Sequence, residues 1–310
     1  MKFVAIGRTT TLLNTCNTLI NKGHELVAVI TCRAEGYNQT KEDDFAALAM
    51  RHGVPFYLTP TLNTTAIEVM ISESAAKVAI SVNWPTKIAT KFRALFEHGV
   101  LNAHAGDLPR YRGNATPNWA ILNGEPKIGL CIHEMDDGFD CGDVLVREHL
   151  TLRNDTYISD VYDWIFEVCP ELFTRALSGL EDGTLRPEPQ DTTQHAPLRC
   201  YPRTAIDGLI DWSNTIEDVL RLIRASSRPF AGAYSFLGVR RVIIWRASKH
   251  ETGPFCAVPG QVCERIEPHP VIACADGMVR IDEADIEGGA TGMDSLRIIG
   301  KSLRQRLGRN

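Results

Sequence analysis

Short apolar runs alternate with helical segments through the first hundred residues of the chain. Four of these runs are apolar at nearly every position: KFVAIG at 2–7, ELVAVI at 25–30, KVAISVNW at 77–84 and VLNA at 100–103. Helical spacing between them predicts helices at 10–22, 41–52, 63–75 and 86–96, with a shorter strand at 54–58. Strands of this kind are buried on both faces, as in parallel sheets covered by helices. The predicted fold class is therefore α/β, with a Rossmann-like, doubly wound and mostly parallel sheet.

The pattern changes along the rest of the chain. Helices are predicted at 116–122, 157–180 and 216–225, and strands at 128–135 and 143–152. Residues 184–203 are rich in Pro, Gln, Asp and Thr, which is typical of a linker. Beyond them come short β-like runs at 233–237, 240–245, 260–263, 271–273 and 278–281, which predict a small β-barrel. We expect domains at 1–183 and 204–310, joined by a linker at 184–203.

Composition excludes several classes of protein. The chain is 44% hydrophobic and carries a net charge of −5, whereas nucleic-acid-binding proteins usually show a basic surplus. No apolar run is long enough to cross a membrane, and no secretory signal precedes the first strand. None of the nine cysteines forms a CxxC pair, so we expect a reducing, cytoplasmic compartment and no metal site.

The stretch from 101 to 145 holds the residues best suited to catalysis. Asn102 and His104 stand two residues apart at the end of a predicted strand, so both side chains point to one face. An amide can stabilise an oxyanion, and an imidazole can move a proton. Asp140 can fix the tautomer of the imidazole and keep it protonated. These parts suit acyl transfer, although a turn asparagine and a hydrogen-bonded core histidine would also explain the pair taken alone.

The first strand is followed by GRTTTLLN instead of GxGxxG. This sequence disfavours a nicotinamide cofactor in spite of the Rossmann-like sheet. Arg8 and Thr9 precede the next helix, whose N-terminus could hold a substrate phosphate. An ordinary strand-to-helix turn is the alternative reading of these two residues.

The segment after Asn102 resembles the hydroxymethyl- and formyltransferase family that uses 10-formyltetrahydrofolate. The resemblance lies in Asn-x-His at 102–104, LPRYRG at 108–113, WAILNG at 119–124 and MDDGFDCGD at 135–143. It continues through IDGLIDWSN at 206–214 and RRVIIWRA at 240–247, which look like the OB-like domain of the family. The likeness is greater to nucleotide-sugar N-formyltransferases, of the kind that modifies UDP-4-amino-4-deoxy-L-arabinose, than to methionyl-tRNA formyltransferase.

The resemblance implies roles for individual residues. Asn102 would stabilise the oxyanion together with the N–H of His104, which also acts as general acid and base, and Asp140 would tune this histidine. Tyr111 and Arg112, with Arg8 and Thr9, are the candidate substrate-binding residues. The candidate cofactor-binding residues come from two loops and one departure from the family pattern, Asn114 in place of Arg: Trp84, Thr86, Lys87, Ile88, Asn114, Asp136, Asp137, Gly138 and Phe139. His133 is predicted to be a strand residue without a catalytic part.

The acceptor of the formyl group is predicted from charge. Members of the family that act on tRNA carry a basic insertion after the second strand, whereas residues 31–44 here hold two basic and four acidic residues. We therefore expect direct transfer, through a tetrahedral intermediate, to a nucleotide-linked 4-amino-4-deoxy or 4-amino-4,6-dideoxy sugar used in polysaccharide or lipopolysaccharide biosynthesis. Nucleic acid and membrane are not expected partners, and a homodimer is possible. The alternatives are a methionyl-tRNA formyltransferase, a non-catalytic folate- or nucleotide-binding protein and an RNA-binding module.

Overall fold

In the computed structural model, which describes residues 1–34, 39–193 and 195–308, the predicted parallel sheet is present and has seven strands. The described chain divides into two compact units. The first consists of Met1–Thr116, Lys127–Thr151 and Tyr162–Tyr201, and the second of Pro117–Pro126, Leu152–Val161 and the chain from Pro202 onward. The predicted boundaries at 183 and 204 stay predictions.

The elements follow one another in the alternating order that the sequence predicted. Up to residue 201 they are β1 (Lys2–Gly7), α1 (Thr10–Asn21), β2 (Glu25–Thr31), α2 (Glu42–His52), β3 (Phe56–Leu58), α3 (Thr65–Ser74), β4 (Val78–Val82), α4 (Thr90–Arg93), β5 (Val100–His104), β6 (Arg112–Gly113), α5 (Thr116–Leu122), β7 (Lys127–Glu134), β8 (Val144–Thr151), α6 (Ile158–Glu181) and β9 (Arg199–Cys200). A 3₁₀ helix (Ala205–Gly208) and α7 (Ile216–Ser226), β10 (Ala233–Leu237), β11 (Arg240–His250), β12 (Val262–Ile266), β13 (His269–Ala273), β14 (Met278–Ile286), α8 (Gly292–Ile299) and β15 (Leu307–Gly308) complete the described chain.

The order of the strands places a switch point beside β1. The sheet runs β3-β2-β1-β4-β5-β7-β8, and β1 pairs in parallel with both β2 and β4. Strand β5 is parallel to β4, whereas β7 is antiparallel to β5 and forms a hairpin with β8. Ligands of such sheets bind beyond the carboxyl ends of the parallel strands, and β5 reaches that edge at His104.

Burial explains why the apolar runs become strands. Five of the six residues of β1 and all five residues of β4 are buried. Helix α1 covers the sheet with Leu12, Cys16 and Leu19, which are fully buried and share one helical face. Each element therefore hides the apolar face that its sequence pattern defines.

Gly7 ends β1 in a conformation that only glycine adopts readily. Its φ is +146°, and a Cβ atom at this position would lie 2.0 Å from the carbonyl oxygen of Val82. We expect Gly7→Ala to lower the free energy of unfolding by at least about 2 kcal/mol, because it adds a backbone clash to the strain of the positive φ. Gly53→Ala is the control, since φ is also positive there but no atom lies within 4 Å. Chemical denaturation measures the free energy of unfolding of both variants, and equal decreases would contradict this explanation.

Several predicted boundaries differ from the structure. The helix expected at 86–96 is only the short α4, because Ala89 before it is extended and the carbonyl of Ile88 accepts a hydrogen bond from the side chain of Arg93 instead of from a helical N–H. The third strand begins after Pro55, and β11 continues five residues beyond its predicted end. Strands β6, β9 and β15 and helix α8 were not predicted.

The second unit contains the predicted small barrel. Among the described residues its six strands are ordered β12-β13-β14-β11-β10-β15, and neighbouring strands are antiparallel. The sheet curls until its edges meet, since Leu307 and Val262 bond to the backbone of Gly260 and Gln305. Apolar residues from all sides fill the interior, among them Trp212, Val242, Ile244 and Val279. Among the described residues no helix is both long and apolar enough to span a bilayer.

Candidate active site

Asn102 and His104 lie at the carboxyl end of β5, as predicted. They are paired across the sheet with β7, where His133 stands opposite Asn102 and Cys131 opposite His104. The chain then turns tightly at Gly106, where a Cβ atom would lie 2.6 Å from Nε2 of His104. A glycine is therefore needed for the following loop to pass this close to the histidine.

The imidazole of His104 is buried and contacts two acceptors. Its Nε2 lies 2.6 Å from the carbonyl oxygen of Tyr111, and its Nδ1 lies 3.5 Å from Oδ2 of Asp140. Burial lowers the pKa of His104, and this effect outweighs the opposing charge of Asp140. The resting ring is therefore neutral at pH 7, instead of being held protonated as the sequence predicted. Because a carbonyl only accepts, we assign the single N–H to Nε2 and the lone pair to Nδ1.

Asp140 lies at the end of the loop that follows β7. Its φ is +53°, a left-handed conformation that Asp tolerates better than most residues. The backbone N–H of Gly113 donates to its Oδ2 at 2.7 Å. Burial alone would raise the pKa of Asp140, but His104, His133 and this N–H together hold it well below its usual range. Asp140 is thus an anion at physiological pH.

His133 is a member of the site that the sequence did not identify. It is 1% exposed, and its Nδ1 lies 2.8 Å from the carbonyl of Glu134 and must donate to it. Its Nε2 then accepts from Nδ2 of Asn102 at 3.3 Å and lies 3.6 Å from Oδ1 of Asp140. His133 therefore orients the Asn102 amide. The signal in the sequence was its position on β7 opposite Asn102, which only the antiparallel register reveals.

The amide of Asn102 is left with one N–H that can meet a ligand. Its side chain is half-buried, and only the bond to His133 engages it among the described residues. The sequence predicted that His104 also donates to the oxyanion, but the N–H at Nε2 is donated to the carbonyl of Tyr111. In this geometry the second N–H of Asn102 is the donor that a developing oxyanion could meet, and Nδ1 of His104 carries the lone pair that could accept a proton.

The two loops predicted to hold the cofactor are joined by Asp137. Its carboxylate accepts from Thr90 at 2.6 Å and from Arg93 at 2.8 Å, and its carbonyl accepts from Lys87 at 2.7 Å. The indole N–H of Trp84 is buried and has no hydrogen-bond partner in the described part of the chain. A buried donor of this kind fits a ligand that accepts a hydrogen bond, such as a pterin.

The remaining predicted cofactor residues differ in what they can contribute. The side chain of Ile88 is 3% exposed and packs in the core, so only its backbone could reach a ligand. Thr86, Asp136 and Gly138 are exposed, and the ring of Phe139 is 64% exposed. Asn114 is exposed as well, and its N–H donates to the carbonyl of Cys200 at 3.2 Å.

The predicted substrate residues do not form one group. The side chain of Tyr111 is 3% exposed and packs within its loop, so its contribution to the site is the carbonyl on His104. A substrate-binding role for its side chain stays a prediction. Arg8 and Thr9 follow β1, which lies two strands away from β5, and the side chain of Arg8 donates to the carbonyl of Arg33 at 3.3 Å.

The segment predicted as a linker, residues 184–203, contributes Gln190 and Arg199 to the surroundings of the site. Strand β9 pairs in parallel with β6, so that Arg199 stands beside Arg112 and Cys200 beside Gly113. Gln190 accepts from Nε and Nη2 of Arg112, at 3.1 and 2.6 Å. Its Nε2 donates to the carbonyls of Asp140 and Gly142, at 2.8 Å each. Gln190 thus fixes the backbone of the loop that carries Asp140.

We expect Gln190→Leu to lower kcat about tenfold or more, because the substituted side chain keeps the volume but loses the bonds that position Asp140. Formyl transfer under saturating substrates measures the effect, and denaturation checks that the variant folds. Arg186→Gln, an exposed substitution in the same segment, is the control and should leave kcat unchanged. An unaltered kcat in Gln190→Leu would show that the loop holds its conformation without this side chain.

Across residues 1–34, 39–193 and 195–308, no group of three or more His, Cys, Asp or Glu side chains is placed to hold a metal ion. The parts present are an amide donor, a neutral imidazole and a carboxylate. An amide donor can stabilise an oxyanion and an imidazole can move a proton, which are the two tasks of acyl transfer.

Comparison with known protein families agrees with this chemistry. A family model described as formyl transferase matches residues 1–177, and one described as formyl transferase, C-terminal domain, matches residues 203–294. A methionyl-tRNA formyltransferase from Citrifermentans bemidjiense is 32% identical over 301 residues, which cover 93% of this chain and 90% of that protein.

Solved structures show the same fold at lower identity. HypX from Aquifex aeolicus, in complex with tetrahydrofolic acid, has a TM-score of 0.65 at 20% identity, covering 98% of this chain and 48% of HypX. This chain therefore spans about half the length of HypX. An N-formyltransferase from Helicobacter canadensis, in complex with folinic acid and dTDP-3-aminofucose, has a TM-score of 0.65 at 17% identity, covering 91% of this chain and 98% of that one.

Proposed function

Since this chain belongs to the formyl transferase family, we propose that it formylates the amino group of a nucleotide-linked amino sugar. Its formyl donor is 10-formyltetrahydrofolate, the co-substrate of this family. The proposed acceptor is a 4-amino-4-deoxy or 4-amino-4,6-dideoxy sugar carried on a nucleoside diphosphate. Its formylated product would be destined for a polysaccharide or lipopolysaccharide.

Three side chains divide the proposed chemistry among them. Asn102 donates its free N–H to the formyl oxygen as the amine bonds to the carbon and negative charge develops. Nδ1 of His104 takes the proton that the amine loses, directly or through a water, and returns it to the leaving nitrogen of the folate as the old C–N bond breaks. Asp140 lies beside Nδ1, and the carbonyl of Tyr111 keeps the other N–H, so both nitrogens of the transient imidazolium have acceptors.

The charge of the segment after β2 carries the choice of acceptor. Helix α2 begins with Glu42, Asp43 and Asp44, and no basic insertion precedes it in the sequence. Its own backbone N–H and that of Ala34 lower the pKa of Glu42, so this carboxylate stays ionised. A polyanion such as tRNA is repelled by such a segment. Residues 35–38, which belong to it, lie outside the described residues.

Methionyl-tRNA is the second candidate acceptor. It is favoured by the sequence relatives, since the protein from Citrifermentans bemidjiense at 32% identity is a methionyl-tRNA formyltransferase. Both acceptors present a primary amine to the same three side chains. The site geometry is therefore neutral between them, and the acceptor has to be found by assay.

A panel of acceptors tests the proposal. Purified protein is incubated with 10-formyltetrahydrofolate and UDP-, dTDP- or GDP-linked 4-amino sugars, with methionyl-tRNA in parallel. Mass spectrometry of each product then detects the gain of one formyl group. Formylation of a nucleotide sugar, much slower in His104→Gln, is the expected result. Formylation of methionyl-tRNA alone would overturn the sugar acceptor. Folate binding without turnover of any acceptor would favour a non-catalytic protein.

The lowered pKa of His104 sets the expected pH dependence. Because neutral His104 accepts the proton, kcat/KM should fall on the acid side only below the ordinary imidazole pKa of about 6.5. Asp140 raises the pKa of His104, so Asp140→Asn should move this acid limb to lower pH while reducing the plateau. The pH profiles of the two proteins measure both effects. If the acid limb of the kcat/KM profile moved to higher pH in Asp140→Asn, a group other than His104 would control it.

A further inference from the structure

Arg199 lies beside the loop that carries Asp140, and no anionic partner for it is found in the part of the chain that the structure describes. Among the described residues its guanidinium makes no ion pair and no hydrogen bond, and its Nη1 is buried without a partner. Other arginines of the same unit are paired, as Arg93 is with Asp137 and Arg147 with Asp107. A partly buried charge without a partner is unfavourable, and proteins usually pair such a group.

The position of Arg199 is fixed by aromatic rings and by the strand pair. Its guanidinium carbon lies 3.9 Å from the ring centre of Phe139 and 5.8 Å from that of Tyr201. A Cβ atom on Gly113 would lie 3.1 Å from its Nε, so the guanidinium lies against the residue whose N–H holds Asp140. The positive charge of Arg199 also contributes to lowering the pKa of His104.

A second arginine stands beside it. Arg112 pairs with Arg199 across β6 and β9, and its own hydrogen bonds go to the neutral amide of Gln190. Neither arginine forms an ion pair among the described residues. Two like charges on neighbouring strands repel each other, and a multiply charged anion would relieve this repulsion. Guanidinium groups match phosphate oxygens with two parallel hydrogen bonds.

We propose that Arg199 and Arg112 form a subsite for the diphosphate of the acceptor nucleotide sugar. This inference rests on the proposed function, because it names the part of the acceptor that these arginines bind. In a nucleotide-linked 4-amino sugar, the diphosphate lies one pyranose ring away from the reacting amine. Arg199 lies against Gly113, whose N–H binds Asp140, so the proposal places the diphosphate on the Gly113 side of the catalytic carboxylate. The two cofactor loops are joined at Asp137, whereas Arg199 contacts Phe139, nearer to Asp140.

Calorimetric titration separates this subsite from the rest of the site. UDP, dTDP, GDP, inorganic pyrophosphate and the matching nucleosides are titrated into the wild-type protein, Arg199→Gln and Arg199→Lys, with folinic acid as the folate probe. Arg199→Gln should weaken binding of the preferred nucleoside diphosphate and of pyrophosphate about 10–100-fold, and leave the nucleoside and folinic acid unchanged. Arg199→Lys keeps the positive charge but cannot form two parallel hydrogen bonds to a phosphate, so its loss of affinity should be smaller than that of Arg199→Gln.

Arg186→Gln is the matched control, because Arg186 is exposed and lies in the same segment. Unfolding midpoints establish that each variant is folded. Equal affinities of wild type and Arg199→Gln for every phosphate probe would overturn the subsite. A loss confined to folinic acid would overturn it too, because Arg199 would then bind the carboxylates of the folate tail. Pyrophosphate binding lost in Arg199→Gln, in a protein that formylates only methionyl-tRNA, would retain the phosphate subsite and refute the sugar acceptor.

Discussion

Replacing His104 with Gln is expected to lower kcat by about 10²–10⁴-fold, the contribution typical of a general acid–base group. The amide of Gln can still donate to the carbonyl of Tyr111, which now accepts from Nε2 at 2.6 Å. It cannot gain and return a proton. The amine would then have to lose its proton to water, and the leaving nitrogen of the folate would have to gain one from water. Formyl transfer at saturating concentrations of both substrates measures this loss.

Two comparisons make the result specific to proton transfer. His52→Gln is the matched control, because His52 is exposed at the end of α2 and should tolerate the change without loss of kcat. The KM for each substrate should change little in His104→Gln, since the imidazole is buried and contributes mainly to the transition state. A loss of less than tenfold in kcat would show that another group moves the proton.

His104 and Asp140 should act as one unit. The variants His104→Gln and Asp140→Asn each remove the imidazolium–carboxylate pair that forms during transfer. The double variant should therefore be only slightly slower than His104→Gln, and the sum of the two single losses in activation free energy should exceed its loss. Additive losses would mean that Asp140 contributes independently, through its bond to Gly113.

The sheet could be predicted because each of its strands carries its own signal. The apolar runs at β1, β2 and β4 are longer than one turn of helix and are bounded by polar residues, so their burial follows from sequence alone. The position of Asn102 and His104 at the edge of the sheet follows from the same reasoning. The late start of α4 could not be predicted in this way, because the carbonyl of Ile88 before the helix accepts a hydrogen bond from the side chain of Arg93.

The residues missed at the site are those placed by pairing over long distances in the sequence. His133 reaches Asn102 only through the antiparallel register of β5 and β7. Gln190 and Arg199 lie in a segment whose composition is that of a linker, and β6 and β9 are two residues long. Strands this short leave no periodic pattern. Side-chain charge also misled the prediction for His104, because the effect of Asp140 was visible in the sequence whereas the opposing burial was not.

Substitution of Asn102 carries the second large expected effect. Asn102→Ala removes the one N–H that is free to meet the formyl oxygen and should lower kcat by about 10²–10³-fold, the usual loss for an oxyanion donor. Asn102→Asp should be slower still, because a carboxylate of the same shape lacks the donor and repels the developing negative charge. Asn63→Ala, at an exposed position, is the control.

The order of the two variants is the sharpest part of this prediction. A purely structural role in holding His133 would make Asn102→Asp the milder change, because an aspartate oxygen keeps a polar group beside Nε2 of His133, whereas Ala leaves this nitrogen without a partner. Oxyanion stabilisation requires the reverse order, since only the sign of the side-chain dipole facing the formyl oxygen matters in the transition state. The ratio of kcat in Asn102→Ala to kcat in Asn102→Asp, measured on folded variants at saturating substrates, therefore decides between the two roles: a ratio above one indicates an oxyanion donor, and a ratio below one indicates a support for His133.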